Sequence, residues 1–139
     1  MTATLTKFNQ IAITPEMVGD ISHDVLVFLQ LATHWSSDRD SVEIYLCLRR
    51  SLSAYITYDG DRIVGFGRII GDGYHLAVLT DIACHPNYRG QAIATNIVKS
   101  LIADVPHCRT VRAMTSQAKG LYQKIGFIEY SGDTMELMR

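Results

Sequence analysis

Two hydrophobic rhythms run along this chain, and they divide it. Residues 8–13 alternate and predict a first strand. Thr14-Pro15 marks a helix start, because threonine caps and the missing proline N–H costs nothing in a first turn. Met17, Ile21, Val25, Phe28 and Ala32 then recur at spacings of four, four, three and four. That is one face of a helix reaching Thr33. The run His34-Trp35-Ser36-Ser37-Asp38 breaks it. A second helix is expected from Asp40, with Val42, Tyr45, Leu46, Arg49 and Leu52 near its inner face.

From Leu52 the pattern changes to strands. Residues 54–58 end at Asp59-Gly60, a hairpin signal. Residues 62–70 form the next strand, and Gly65 and Gly67 within it suggest a bulge or a close approach of another group. Residues 74–84 form a long strand. Residues 92–103 predict a helix with Ile93, Ile97 and Leu101 on one stripe, stopped near Val105-Pro106. A short strand at 110–114 and a helix at 116–125 follow, with Gly126 as its left-handed cap. Strands at 127–130 and 135–138 close the chain. The order is β-α-α-β-β-β-α-β-α-β-β, which predicts one α/β domain over residues 1–139 with a mixed sheet.

Composition narrows the function classes. At 139 residues and 47% hydrophobic, the chain can build one sizeable core. Its net charge of −1 argues against a nucleic-acid partner. No apolar run is long enough to cross a bilayer, so no membrane role is expected. Met1 to Lys7 shows no secretory pattern, and Cys47, Cys84 and Cys108 form no close-spaced pair. The expected setting is therefore cytoplasmic, with reduced thiols. His23, His34, His75, His85 and His107 have no zinc-ligand spacing, so no metal is expected.

The chemistry gathers where the strand ending Asp81-Ile82-Ala83-Cys84 turns at His85-Pro86-Asn87 and enters a helix through Arg89-Gly90. Free N–H groups of a helix's first turn, with the helix dipole, attract an anion. Residue chemistry alone goes no further than an α/β domain with an anion site.

The stretch Pro86 to Ala94 resembles the acyl-CoA signature of the GCN5-related N-acetyltransferases (GNAT), Gln/Arg-x-x-Gly-x-Gly/Ala. Arg89 fits its first position and Ala94 its last, while Ala92 stands where that family usually has glycine. Ala118-Lys119-Gly120-Leu121-Tyr122-Gln123-Lys124-Ile125-Gly126-Phe127 resembles the same family's C-terminal pattern, although Thr115 stands where it often has asparagine. Trp35 and the run from Val64 to Gly73 resemble a branch of small bacterial acetyltransferases. Together these resemblances cover nearly the whole chain.

The resemblance implies a GNAT fold whose sheet is split by the cofactor. It implies acetyl transfer from acetyl-CoA to a primary amine, with a small-molecule acceptor and direct transfer in a ternary complex. Strand-edge N–H groups around Ile82, Ala83 and Cys84 would pair with pantetheine, one of them polarising the thioester. Arg89, Gly90, Gln91, Ala92, Ile93, Ala94 and Thr95 would hold the pyrophosphate. Tyr122 is the implied acid for the leaving thiolate and Asp81 the candidate base, with a water chain as the alternative. Trp35, Arg68, Tyr74 and His75 are candidate acceptor contacts, and Arg68 has a structural alternative in pairing with Asp72 or Asp81. Cys84 and His85, adjacent on a strand, point to opposite faces and make no dyad. The fold often dimerises, so a homodimer is an expectation. Two other functions fit the same residues: a non-catalytic acyl-CoA sensor, and a protein acetyltransferase acting on lysines or N-termini.

Overall fold

The computed structural model describes residues 7–34, 38–115, 118–130 and 132–139. Among them, β1 (Asn9–Ala12), β2 (Ser53–Asp59), β3 (Arg62–Gly71), β4 (Leu76–Cys84) and β5 (Thr110–Ala113) form one sheet in that spatial order. The first four strands are antiparallel, whereas β4 and β5 run parallel, so the sheet is mixed as expected. Helices α1 (Val18–Ala32) and α2 (Ser41–Arg49) join β1 to β2, α3 (Ile93–Ala103) joins β4 to β5, and α4 (Lys119–Ile125) follows β5.

Two cores lie on the two faces of the sheet. Val25, Leu29, Ile44, Leu48, Ile56 and Phe66 pack on the α1/α2 side. Ile69, Ala77, Leu79, Ile93, Ile97, Leu101 and Tyr122 pack on the α3/α4 side. The α3 stripe is the one its periodicity predicts. The α1 helix differs at its start. Pro15–Met17 form a 3-10 turn, so the buried stripe begins at Val18 and continues through Ser22, Val25 and Leu29. In α2 the expected inner face is corrected: Ile44 and Leu48 are buried, while Val42, Tyr45 and Leu46 are exposed. Apolar residues surround most of that short helix, so spacing did not select a face. Its start is as expected, with the Asp40 carboxylate accepting from the Glu43 N–H at 2.9 Å.

The C-terminal strands expected at 127–130 and 135–138 are likewise corrected. Among the described residues no strand follows β5. A strand exists by pairing, and these side chains are laid out in solvent, with Ile128 90% and Met135 93% exposed. Alternation in the sequence favours a strand but supplies no partner. Gly126 does cap α4 in the left-handed conformation, at φ 117°.

Candidate active site

The site starts from a mismatch in strand length. β4 pairs with β5 from Leu76↔Thr110 to Leu79↔Ala113, and there β5 ends. β4 continues to Cys84 with only β3 beside it. Residues 80–84 therefore present a free backbone edge among the described residues. An extended molecule bearing amides can add to such an edge as a strand would.

A bulge re-aims the side chains along that edge. Arg68 pairs with Thr80 and Phe66 with Ala83, so Asp81 and Ile82 both face Gly67. Asp81 takes a left-handed conformation to do so, at φ 55°. The extra residue reverses the alternation. Leu79 and Ile82 both lie on the α3/α4 side, three positions apart, and Ala83 turns to the α1/α2 side. Gly67 is the other half of this arrangement. A Cβ there would lie 2.7 Å from Ile82 Cδ1 and 2.7 Å from Ile97 Cγ2. The two glycines of β3 thus mark both a bulge, which falls on the neighbouring strand, and a close approach, which is that of α3.

The Asp81 carboxylate is held by two guanidinium groups. Arg39 donates from Nη1 to Oδ2 at 2.8 Å and from Nη2 to Oδ1 at 2.9 Å. Arg68 donates from Nε to Oδ2 at 2.8 Å. Burial raises the Asp81 pKa, but these hydrogen bonds and the two positive charges outweigh it and leave the group below its ordinary value. A carboxylate so held is a weak proton acceptor. Arg39 moves the opposite way, its pKa raised chiefly by the Asp81 hydrogen bond.

Beyond Cys84 the chain turns tightly. The Tyr88 N–H reaches the His85 carbonyl at 2.9 Å, and the Asn87 N–H reaches His85 Nδ1 at 3.1 Å. Gly90 and Ala92 then take left-handed conformations, at φ 78° and φ 62°. The first helical bond of α3 runs from the Asn96 N–H to the Ala92 carbonyl. The N–H groups of Ile93, Ala94 and Thr95 are thereby left without helical acceptors. Space above Gly90 is open, since a Cβ there would meet nothing within 4 Å. These features fit a pyrophosphate at the start of an 11-residue helix. The α-carbon of Ala92 carries the strain that a glycine would avoid.

Tyr122, on α4, lies in the same apolar cluster as Ile82, Cys84 and Ile93. Its ring meets Phe127 edge-on at 5.4 Å. Its hydroxyl has no hydrogen-bond partner among the described residues, and burial raises its pKa. Cys84 is also raised by burial, with Arg89 opposing, so its thiol keeps its proton. Thr115 Oγ1 accepts from the Ala118 N–H at 2.9 Å, a local cap on the approach to α4.

The structure brings together Asp81, Ile82, Ala83, Cys84, Arg68 and the turn leading through Arg89 to Thr95. Tyr74 and His75 are elsewhere. They precede β4, about 20 Å along the strand from Asp81 at ~3.3 Å per residue. Asp72 Oδ1 fixes that turn by accepting from the Tyr74, His75 and Leu76 N–H groups at 2.8, 2.8 and 3.2 Å. Trp35 lies outside the described residues. Arg39 is the residue that sequence reading missed. It stands 42 positions from its partner, and no spacing rule joins the two.

A mixed sheet whose bulged strand β4 outruns β5 and leads into a helix start is the α/β arrangement expected of an acetyltransferase. The GNAT acetyltransferase domain model matches residues 50–129, more than half of the chain, and the chain belongs to that family. Its fold is similar to that of a probable acetyltransferase from Staphylococcus aureus, with 24% identity, 95% and 98% of the two chains covered and a TM-score of 0.79. A GNAT-family chain from Xanthomonas campestris shows 26% identity over 88% of this chain and 87% of its own, with a TM-score of 0.74. A predicted acetyltransferase from Clostridium acetobutylicum, solved with acetyl-CoA, shows 16% identity over 94% and 96%, with a TM-score of 0.69. No curated protein matches the sequence.

Proposed function

We propose that this protein moves an acetyl group from acetyl-CoA to a primary amine, probed most directly as a small molecule, within a ternary complex. The single observation that carries the proposal is the free edge of residues 80–84 running into the left-handed turn and open helix start at Ile93. Acetyl-CoA supplies an acetyl group already activated as a thioester. The backbone of residues 80–84 orients the pantetheine arm, and one N–H there polarises the carbonyl oxygen. Arg89 and the N–H groups of Ile93, Ala94 and Thr95 hold the pyrophosphate.

The two faces of the sheet take different tasks. The amine approaches on the Asp81 side, and its nitrogen forms the new bond to the carbonyl carbon as the carbon–sulfur bond breaks. The proton lost by the nitrogen leaves through water, because Asp81 is already committed to Arg39 and Arg68. Tyr122, on the α3/α4 face, gives its proton to the departing sulfur and regains one from solvent. Asp81 is then a positioning residue that holds the bulge and so aims the Ile82 backbone.

A thiol-release assay with acetyl-CoA and a panel of amines tests this. Turnover that depends on both substrates supports it. Saturable CoA binding with no release on any amine overturns it in favour of an acyl-CoA sensor, a reading that the strained alanine at position 92 favours.

A further inference from the structure

We propose that the amine acceptor also carries an anionic group, a carboxylate or a phosphate, and that Arg68 together with Arg39 receives it. The proposal rests on the acetyl-transfer reading and narrows its substrate class. It starts from an imbalance of charge. Two guanidinium groups share one carboxylate, and both donate to the same oxygen, Asp81 Oδ2. The cluster is sheltered, with 11% of the Arg68 side chain, 20% of Arg39 and 6% of Asp81 exposed. Partly desolvated positive charge is costly without a counter-ion, and one carboxylate neutralises only one of the two. Among the described residues, no second carboxylate pairs with either guanidinium. Asp40 is turned to the start of α2, where it caps Glu43.

Arg68 also keeps donors in reserve. Nε is committed to Asp81, Nη1 meets only Ser51 Oγ at 3.4 Å, and Nη2 has no acceptor among the described residues. A guanidinium with one outer nitrogen free and the other held only by a long bond to a hydroxyl can turn both to a carboxylate or phosphate in planar, bidentate capture.

Position ties this to the acceptor. Asp81 immediately precedes Ile82 on the free edge, and its side chain lies on the face opposite the α3/α4 core. Arg68 and Asp81 also lie against the packed core residues Val25, Leu29, Leu48 and Phe66, so the guanidinium groups form the polar edge of that core. A carboxylate or phosphate on an amine that reaches the thioester from this face would meet the two guanidinium groups, which keep 11% and 20% of their side chains exposed. Their excess charge repels a polycation. It also favours the neutral form of a nearby amine, which is the nucleophilic one.

Matched pairs of acceptors test the idea in the unmodified protein: an amino acid against its C-terminal amide, and an amino-sugar phosphate against the free amino sugar, with spermidine as the cationic control. The expected result is a kcat/KM at least tenfold higher for the anionic member of one pair, expressed in KM. The pair that responds identifies carboxylate or phosphate. Arg68→Gln should reduce that ratio at least tenfold, and Arg39→Gln should reduce it as well, which keeps the test open if one variant fails to fold. Equal or better turnover of the neutral members or of spermidine overturns the acceptor class while leaving acetyl transfer standing. A ratio unmoved in both variants overturns the assignment to these arginines. No thiol release with any amine overturns the transfer reading and this proposal with it.

Discussion

Arg39 grips the Asp81 carboxylate through two parallel hydrogen bonds of 2.8 and 2.9 Å, joining the connection before α2 to the bulge of β4. Asp81→Asn keeps the shape but leaves two guanidinium groups without their counter-charge. Breaking a buried pair from one side costs about 3 kcal/mol. The sign with pH follows from the direction of the shift. The folded-state pKa of Asp81 lies below its unfolded value, so its contribution is present above about pH 4 and is lost as pH falls through the folded value. Urea unfolding should show the variant weaker at pH 7, with the gap to the parent protein narrowing in acid. A gap that is constant from pH 7 to pH 3 rules out the ion-pair account.

Ala92 precedes α3 at φ 62°, a conformation that costs an L residue energy and glycine none. Ala92→Gly should relieve that strain and stabilise the fold by about 0.5 kcal/mol, the unfolded-state entropy of glycine offsetting part of the gain. A β-branched residue should do the reverse, so Ala92→Val is expected to cost more than ~1 kcal/mol. Thermal unfolding of the three proteins should rank Gly above Ala above Val. The same ranking in CoA affinity would show that the turn's conformation limits binding.

The Ala92 position also shows what the sequence could reveal. Its departure from the glycine of the family pattern was legible, and the physical reason, a left-handed backbone, is visible only in the fold. The α3 stripe was readable because Ile93, Ile97 and Leu101 are buried on one side and polar residues flank them. The α2 face was not, because Val42, Tyr45 and Leu46 lie among the core residues Ile44 and Leu48 in a nine-residue helix. The bulge left a trace in Gly65 and Gly67, on the strand beside it. Arg39 left none, since a contact between residues so far apart in the chain is made by the tertiary fold and by no local pattern.

Gly67 carries a separate prediction. A methyl group there would sit 2.7 Å from side-chain atoms of both Ile82 and Ile97. The Ile82 terminus can rotate, but the branched Cγ2 of Ile97 is held by its helix. Gly67→Ala should therefore cost about 1–3 kcal/mol by overpacking. It should also displace Ile82, whose backbone belongs to the proposed pantetheine edge. Turnover is expected to fall by more than the loss of folded protein at the assay temperature explains, as measured by activity per folded molecule. Full activity per folded molecule would separate the packing role of Gly67 from the site.

Tyr122 sits apart from Asp81, on the other face of the sheet, and its environment keeps it protonated. Burial raises its pKa above the ordinary phenol value near 10, so the acid form is present throughout the neutral range. Tyr122→Phe removes the proton but retains the ring and its edge-on contact with Phe127. General acid catalysis contributes roughly 10²-fold or more, so thiol release should slow by about that factor. CoA affinity should change little, because the hydroxyl has no partner to lose among the described residues. In the parent protein, loss of the phenol proton should not lower kcat anywhere in the neutral range, because burial raises its pKa. Unchanged turnover in the phenylalanine variant assigns the leaving-group proton to another donor, and a fall in CoA affinity alone makes Tyr122 a packing residue.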